Sequence, residues 1–275
     1  MGESGVHLRF VKASPCSNTT VFILDKVPRA AYATVAGLIM DTEYLAAEQV
    51  GFLSSLQNGE VLFHLEMSGG EFCGNAMLAL GAWVVKEGLA APGQEFFLTC
   101  SGTEKPLPYA VERIAAGCFD VRGKMPEALT MRPVAMEAAG QRFSGTLVTF
   151  PGIGHFCFET TAFPDQVQYD ALLTAVAKIS GADAYGVIPY WRQAMDTWQI
   201  RPYIGVAATG SRVYEKSCGS GSLALALTLS EKEERGRLRI LQPGGMIMAD
   251  PKEPSISTTV CFPCEGGLWL PDGVI

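Results

Sequence analysis

Two cysteines stand where helices are expected to begin. Cys73 lies in "EFCGNAMLALGAWVV" (71–85) and Cys218 in "KSCGSGSLALALTLS" (216–230). Each is followed by glycine, a polar residue and an Ala/Leu-rich run. A helix start presents unpaired N–H groups and a partial positive charge, and glycine beside the cysteine lets a ligand approach the backbone closely. A carboxylate suits that position, as anions do at helix starts. A thiol there is expected to ionise below its ordinary pKa of about 8.5 and so to act as a base near neutral pH. One such site would serve a cysteine nucleophile. Two of them, 145 residues apart in a chain of 275, suit a different chemistry. One thiolate removes an α-proton from one face of a small carboxylic acid, and the opposite thiol protonates the other face. The α-carbon is inverted, the return reaction exchanges the two roles, and neither a metal nor pyridoxal phosphate is required.

Three other readings compete. A single Cys-Gly ahead of an apolar helix is ordinary packing. A nucleophilic thiol would want a histidine partner, yet nothing in the spacing of His7, His64 or His155 singles out a Cys/His pair. Such an enzyme would also leave the second helix-start cysteine unexplained. A binding protein could hold a small carboxylate at the same helix starts without turning it over.

The duplication carries the architecture. Self-similarity at half the chain length points to two lobes of similar build. Both Ala/Leu helices are apolar nearly all round, the mark of a helix buried on most sides. Around them lie short Val/Ile/Phe/Thr segments punctuated by Gly and Pro, which read as strands. Examples are "GVHLRFVKA", "VLFHLEM" and "EFFLTC" in the first half, and "GTLVTFPG", "HFCFETT" and "RLRIL" in the second. Two amphipathic stretches, 28–47 and 165–179, predict one outer helix per lobe, with Pro164 at the entry to the second. The expected fold is α/β (α+β): two pseudo-symmetric lobes, each a curved, mainly antiparallel sheet or barrel around a central helix. The boundary falls within 122–145. This predicts an N-terminal lobe over 1–125 with Cys73, a C-terminal lobe over 126–262 with Cys218, and a last strand, 263–275, returning to the first lobe.

Composition narrows the partners. Hydrophobic residues make up 48% and charged residues 18%, the balance of a folded globular chain. A net charge of −7 argues against nucleic-acid binding, which needs a basic face. No apolar run reaches the length of a membrane span, and the N-terminus lacks a secretory pattern. The expectation is a cytoplasmic protein acting on a small molecule, its oligomeric state open and a homodimer among the options. The eight cysteines are accordingly expected to be reduced. "CFPC" (261–264) lacks the second ligand pair of a zinc site and reads as packed thiols, as do Cys16, Cys100, Cys118 and Cys157. Nothing resembles a nucleotide-binding glycine motif.

"EFCGNAM" and "SCGSGS" resemble the paired motifs of the diaminopimelate epimerase family, the cofactor-independent two-thiol racemases. The likeness spans most of the chain. It implies catalysis by Cys73 and Cys218 with no cofactor and no metal. It also implies that the backbone N–H groups of Gly74, Asn75, Gly219 and Ser220 hold the substrate α-carboxylate. "ASPCSNTTVFIL" places Asn18 at a substrate-contacting position, "EQVGF" does the same for Gln49, and "FPGIGHFCFE" makes His155 a candidate. The chain departs from diaminopimelate epimerases where they carry a Glu-Arg arm ahead of the second cysteine. Here the text is "AATGSRVYEKSCGSG", with Arg212 and Glu215 nearby. The strings "EQVGF", "EFCGNA", "SCGSG" and "QPGG" are most similar to the histidine racemases of staphylopine-type metallophore biosynthesis. An imidazole substrate would want an acidic partner, for which Glu48 is the candidate, although a solvated helix-end carboxylate explains it equally. Proline and hydroxyproline racemases resemble the chain less, because Asn75 replaces a histidine in their first motif. Phenazine-biosynthesis-type isomerases lack the second thiol.

Overall fold

A computed structural model describes residues 5–56, 61–103, 105–207, 210–231 and 236–275. The chain divides into two compact units, one of residues 1–123 with 258–275 and the other of residues 124–257.

The first unit contains β1 (Val6–Pro15), β2 (Thr20–Ile23), α1 (Tyr32–Met40), β3 (Gln49–Ser55), β4 (Val61–Met67), α2 (Gly74–Lys86), β5 (Phe96–Cys100), β6 (Leu107–Ala115) and β7 (Cys118–Lys124). The second contains β8 (Thr130–Ala138), β9 (Gln141–Phe150), β10 (Ile153–Glu159), α3 (Gln166–Ser180), β11 (Ala184–Ala194), β12 (Thr197–Ile200), β13 (Tyr203–Val206), β14 (Ser211–Tyr214), α4 (Gly219–Ser230), β15 (Leu238–Gln242) and β16 (Gly245–Asp250). The last strand, β17 (Ser255–Leu270), begins in the second unit and runs from Thr258 in the first.

In the first unit the strands pair in succession from β1 to β7. β17 then pairs with both β7 and β1, so the ring closes. A closed ring leaves no free strand edge. α2 lies against β1, β2, β5 and β6, with every residue from Gly74 to Val85 buried. That explains its all-round apolar sequence: burying Met77, Leu78 and Leu80 contributes roughly 1.5–3 kcal/mol each. In the second unit, β8 to β11 pair in order, β11 also pairs with β12 and β13, and β12 leads through β15 to β16. α4 packs on β9, β10, β11 and β16.

The two remaining helices sit on the strands through one face only. Val35, Ala36 and Ile39 of α1 join Val21, Ile23, Val50 and Phe52 in one core cluster. Tyr169, Leu172, Leu173 and Val176 of α3 follow the i, i+3, i+4, i+7 pattern into another. α3 starts at a capping box formed by Asp165 and Gln168 and stops at Gly181 in the left-handed conformation. Its N-cap is therefore Asp165, and Pro164 lies one residue outside. The first outer helix is shorter than the 28–47 expected. After a 3₁₀ turn at Arg29–Ala31, α1 ends at Met40, where Asp41 turns extended and Ala46 adopts a positive φ of 46°.

One expectation about the cysteines is overturned. Cys118 and Cys261 form a disulfide rather than remaining reduced. β7 and β17 are neighbours, the Phe262 N–H donates to the Gly117 carbonyl, and the two Cα atoms stand 4.2 Å apart. Cys264 is exposed rather than packed, and Cys16, Cys100 and Cys157 are buried thiols. Among the described residues, no helix is long and apolar enough to cross a membrane.

Candidate active site: two cysteine-capped helix starts

Cys73 is the N-cap of α2, with φ −123° and ψ 108°, and Cys218 is the N-cap of α4, with φ −131° and ψ 110°. In each, Sγ accepts the N–H three residues on, Ala76 or Gly221, at 3.4 Å. Sulfur thus takes the place of the oxygen of a usual Ser, Thr or Asp cap. The first intrahelical bonds run from Met77 N–H to the Cys73 carbonyl and from Ser222 N–H to the Cys218 carbonyl, both at 3.0 Å. Gly74, Asn75, Gly219 and Ser220 lie ahead of those bonds, where helix N–H groups lack an intrahelical acceptor.

The neighbours of the two sulfurs differ. In the first unit the Cys73 thiol donates to Gln49 Oε1 at 3.0 Å, and the same oxygen accepts from Thr20 Oγ1 at 3.3 Å. Gln49 opens β3, which runs parallel to β2 with Gln49 opposite Thr20. Glu48, just before it, is anchored through its N–H to the Thr19 carbonyl and hydroxyl. Asn18 is buried and closes the β1–β2 turn, its N–H bonding the Pro15 carbonyl at 2.9 Å. The loop leading to Cys73 is clipped by Ser101, whose hydroxyl accepts from Met67 N–H at 3.0 Å and donates to the Glu71 carbonyl at 2.7 Å.

In the second unit Gln242 Oε1 accepts the Cys218 N–H at 2.7 Å, and Gln242 Nε2 donates to Ser222 Oγ at 2.9 Å. Ser222 in turn donates to the Cys218 carbonyl at 2.7 Å. A Cβ on Gly221 would stand 2.8 Å from Ile188 Cδ1 and 3.2 Å from the sulfur, so glycine makes room for the thiol. His155 is fully buried on β10, and its Nε2 lies 2.8 Å from Ser220 Oγ. Arg212 turns away to Asp170 and Thr174 of α3.

The helix start does not lower the ionisation of Cys218. Burial, followed by the charge of Glu215 and its hydrogen bond to the thiol, holds Cys218 well above its ordinary pKa, although Gly221 N–H and Ser220 oppose this. The expectation of a depressed pKa is corrected: desolvation and a like charge outweigh the helix-start dipole, and Cys218 rests as a thiol, able to donate a proton. Burial likewise pushes Cys100 and Cys157 up to about 12, and these two lie on β5 and β10 rather than at a helix start. Burial also lowers His155 to about 3, so it is neutral at working pH.

The depressed His155 has a consequence for stability. Unfolded histidine binds a proton below about 6.5, whereas the folded one resists until about 3. Stability contributed above pH 6.5 is therefore lost as pH falls, at about 1.4 kcal/mol per unit from this group. The unfolding free energy from urea titrations is expected to fall toward that slope as pH drops from about 6.5 to 5, and His155→Phe is expected to lose that contribution.

Gln242, Ser222 and Gly221 were not anticipated as supports of a thiol. The glycine and serine stand in "CGSGS", but Gln242 reaches Cys218 from 24 residues away through β15, which no local pattern reveals.

Solved structures of other proteins share this fold. A hydroxyproline epimerase from Agrobacterium vitis matches with a TM-score of 0.70 at 11% identity, over 98% of this chain and 94% of that one. A phenazine biosynthesis protein of the PhzF family from Bacillus anthracis matches with a TM-score of 0.64 at 11% identity, over 96% and 99%. Sequence is more specific. The model of the histidine racemase CntK N-terminal domain matches residues 7–258, and the chain belongs to that family. A histidine racemase of Fusobacterium nucleatum subsp. nucleatum is 31% identical over 96% of this chain and 97% of its own. One of Staphylococcus aureus (strain Mu50) is 25% identical over 89% of each.

Proposed function

We propose that the protein is a cofactor-independent histidine racemase in which Cys73 and Cys218 act as a thiolate/thiol pair on one α-carbon. The observation that carries this reading is the same cysteine N-cap built twice, in a chain that belongs to a histidine racemase family. The backbone N–H groups of Gly74, Asn75, Gly219 and Ser220 bind the α-carboxylate, as the position of those residues ahead of the first intrahelical bond favours. Asn18 and Gln49 complete the substrate's polar contacts, Gln49 also holding the Cys73 thiol. Glu48 is the acidic partner of the imidazole. The proposed setting is the cytoplasm, where Cys73 and Cys218 stay reduced and the Cys118–Cys261 disulfide stands as an exception, and a homodimer is the proposed assembly.

The test is turnover of L-histidine in reducing buffer without added cofactor, followed by chiral chromatography beside proline, hydroxyproline, diaminopimelate and alanine. Histidine is expected to reach a 1:1 mixture of enantiomers, with Glu48→Gln raising its KM about tenfold, the loss of one charge-assisted contact. Turnover of another amino acid in its place would reassign the substrate. No inversion of any would reject the racemase.

A further inference from the structure

His155 is a charged residue type placed in a fully buried position with one ring nitrogen bonded and the other not. Nε2 meets Ser220 Oγ at 2.8 Å, while Nδ1 is buried without a partner. A Cβ on Gly186 would stand 2.4 Å from Nδ1, so the β11 backbone packs closely against that edge of the ring. A neutral imidazole carries one proton. Placed on Nδ1, it would be an orphaned buried donor, a costlier defect than an unused lone pair. The proton therefore sits on Nε2, which donates to Ser220 Oγ. Ser220's own hydroxyl hydrogen is then left to be donated elsewhere, and Cys218 Sγ is 3.7 Å from that oxygen.

We propose that His155 is a positioning residue that fixes the direction of a relay, His155 Nε2–H to Ser220 Oγ and Ser220 O–H to Cys218 Sγ, so that Ser220 always presents a donor to the sulfur when Cys218 is ionised. This rests on the reading of Cys218 as an acid/base thiol. His155 transfers no proton in this scheme. It stays neutral, and its effect reaches the thiol only through Ser220. Among the described residues, one titratable side chain, Glu215, and one hydroxyl, Ser220, act on Cys218 with opposite effect. Glu215, just ahead of it, disfavours the thiolate, and the Ser220 hydroxyl held by neutral His155 from β10 favours it.

The experiment reads the thiol itself, so that it stands apart from turnover. In the full chain carrying Cys73→Ala, the rate of Cys218 alkylation by iodoacetamide is followed against pH by peptide mass spectrometry. Ser220→Ala and His155→Phe are each expected to move the midpoint upward by about one pH unit, the worth of one hydrogen bond to the charged form. The double variant is expected to move it no further than either single one. Ser220→Thr, which keeps the hydroxyl, and His155→Gln, whose Nε2 reaches the same place, are expected to stay close to the parent. If His155→Phe does not fold, His155→Asn replaces it, since its amide reaches only the Nδ1 position and loses the donation. Additive shifts in the double variant, or an unmoved midpoint when His155 is replaced, would overturn the relay. Absence of racemisation in the unmodified protein, with these shifts intact, would count against the racemase and leave the relay standing.

Discussion

Replacing either Cys73 or Cys218 by alanine is expected to lower the kcat for histidine inversion by about 10³-fold or more. General acid–base groups contribute on the order of 10²–10⁴ each, and inversion needs both an acceptor and a donor of the α-proton. The two losses are not expected to multiply. Once one thiol is gone, no complete path remains for the other to assist, so the double variant should resemble either single one. The remaining cysteines offer no substitute, because none of them caps a helix: Cys100 and Cys157 lie on β5 and β10, Cys118 and Cys261 pair across β7 and β17, Cys16 lies in the β1–β2 turn and Cys264 on β17. Steady-state assays from both enantiomers check this. A single alanine variant that kept a tenth of the activity would remove the corresponding thiol from the mechanism.

The second large effect concerns a residue that touches no substrate. Gly102 has φ +74°, and a Cβ there would stand 2.4 Å from the Phe72 backbone nitrogen and 3.0 Å from the Glu71 carbonyl carbon. Both atoms belong to the segment that delivers Cys73, and the neighbouring Ser101 clips the same segment. Gly102→Ala therefore combines a left-handed backbone that alanine adopts poorly with an overlap that no side-chain rotation relieves. We expect a loss of about 2–4 kcal/mol in denaturant unfolding. In whatever folds, kcat is expected to fall at least tenfold, because a displacement of about 1 Å in a reacting group costs up to about 10²-fold. Gly70→Ala is the control. It shares the positive φ, at 76°, but has open space around its Cβ position, so it should cost about 1 kcal/mol or less.

The parts of this account that the sequence makes legible are those written in short strings. Cys73 and Cys218 stand out because the same helix start occurs twice, and the apolar runs behind them become α2 and α4, buried along nearly their whole length. α3 is readable from its apolar period, with its start fixed by Asp165 and Gln168. α1 is overextended because the apolar pattern continues through Leu45, Ala46 and Ala47 after the backbone has left the helix. Those residues are held instead by turn bonds such as Ala46 N–H to the Asp41 carbonyl.

What cannot be read is what pairing across strands creates. Gln49 comes to Cys73, and Gln242 to Cys218, each across a separation of 24 residues. His155 comes to Ser220 from 65 away, and Cys118 meets Cys261 from 143 away. The ionisation of Cys218 is illegible in the sequence for a related reason. The helix start is visible in "SCGSG", but the desolvation and the Glu215 contact that outweigh it depend on the packed unit.

The central claim is that two thiols serve the two faces of one α-carbon, and isotope placement tests it most directly. L-Histidine is converted in D₂O under reducing conditions, and both enantiomers are separated early, before a tenth has reacted. With two thiols, the proton removed by one is not the one delivered by the other. The D-histidine formed should carry deuterium at Cα in nearly every molecule, while the remaining L-histidine stays unlabelled. Deuterium appearing equally in both enantiomers, or protium carried over into the product, would mean that a single group handles the proton on both faces and would contradict the account.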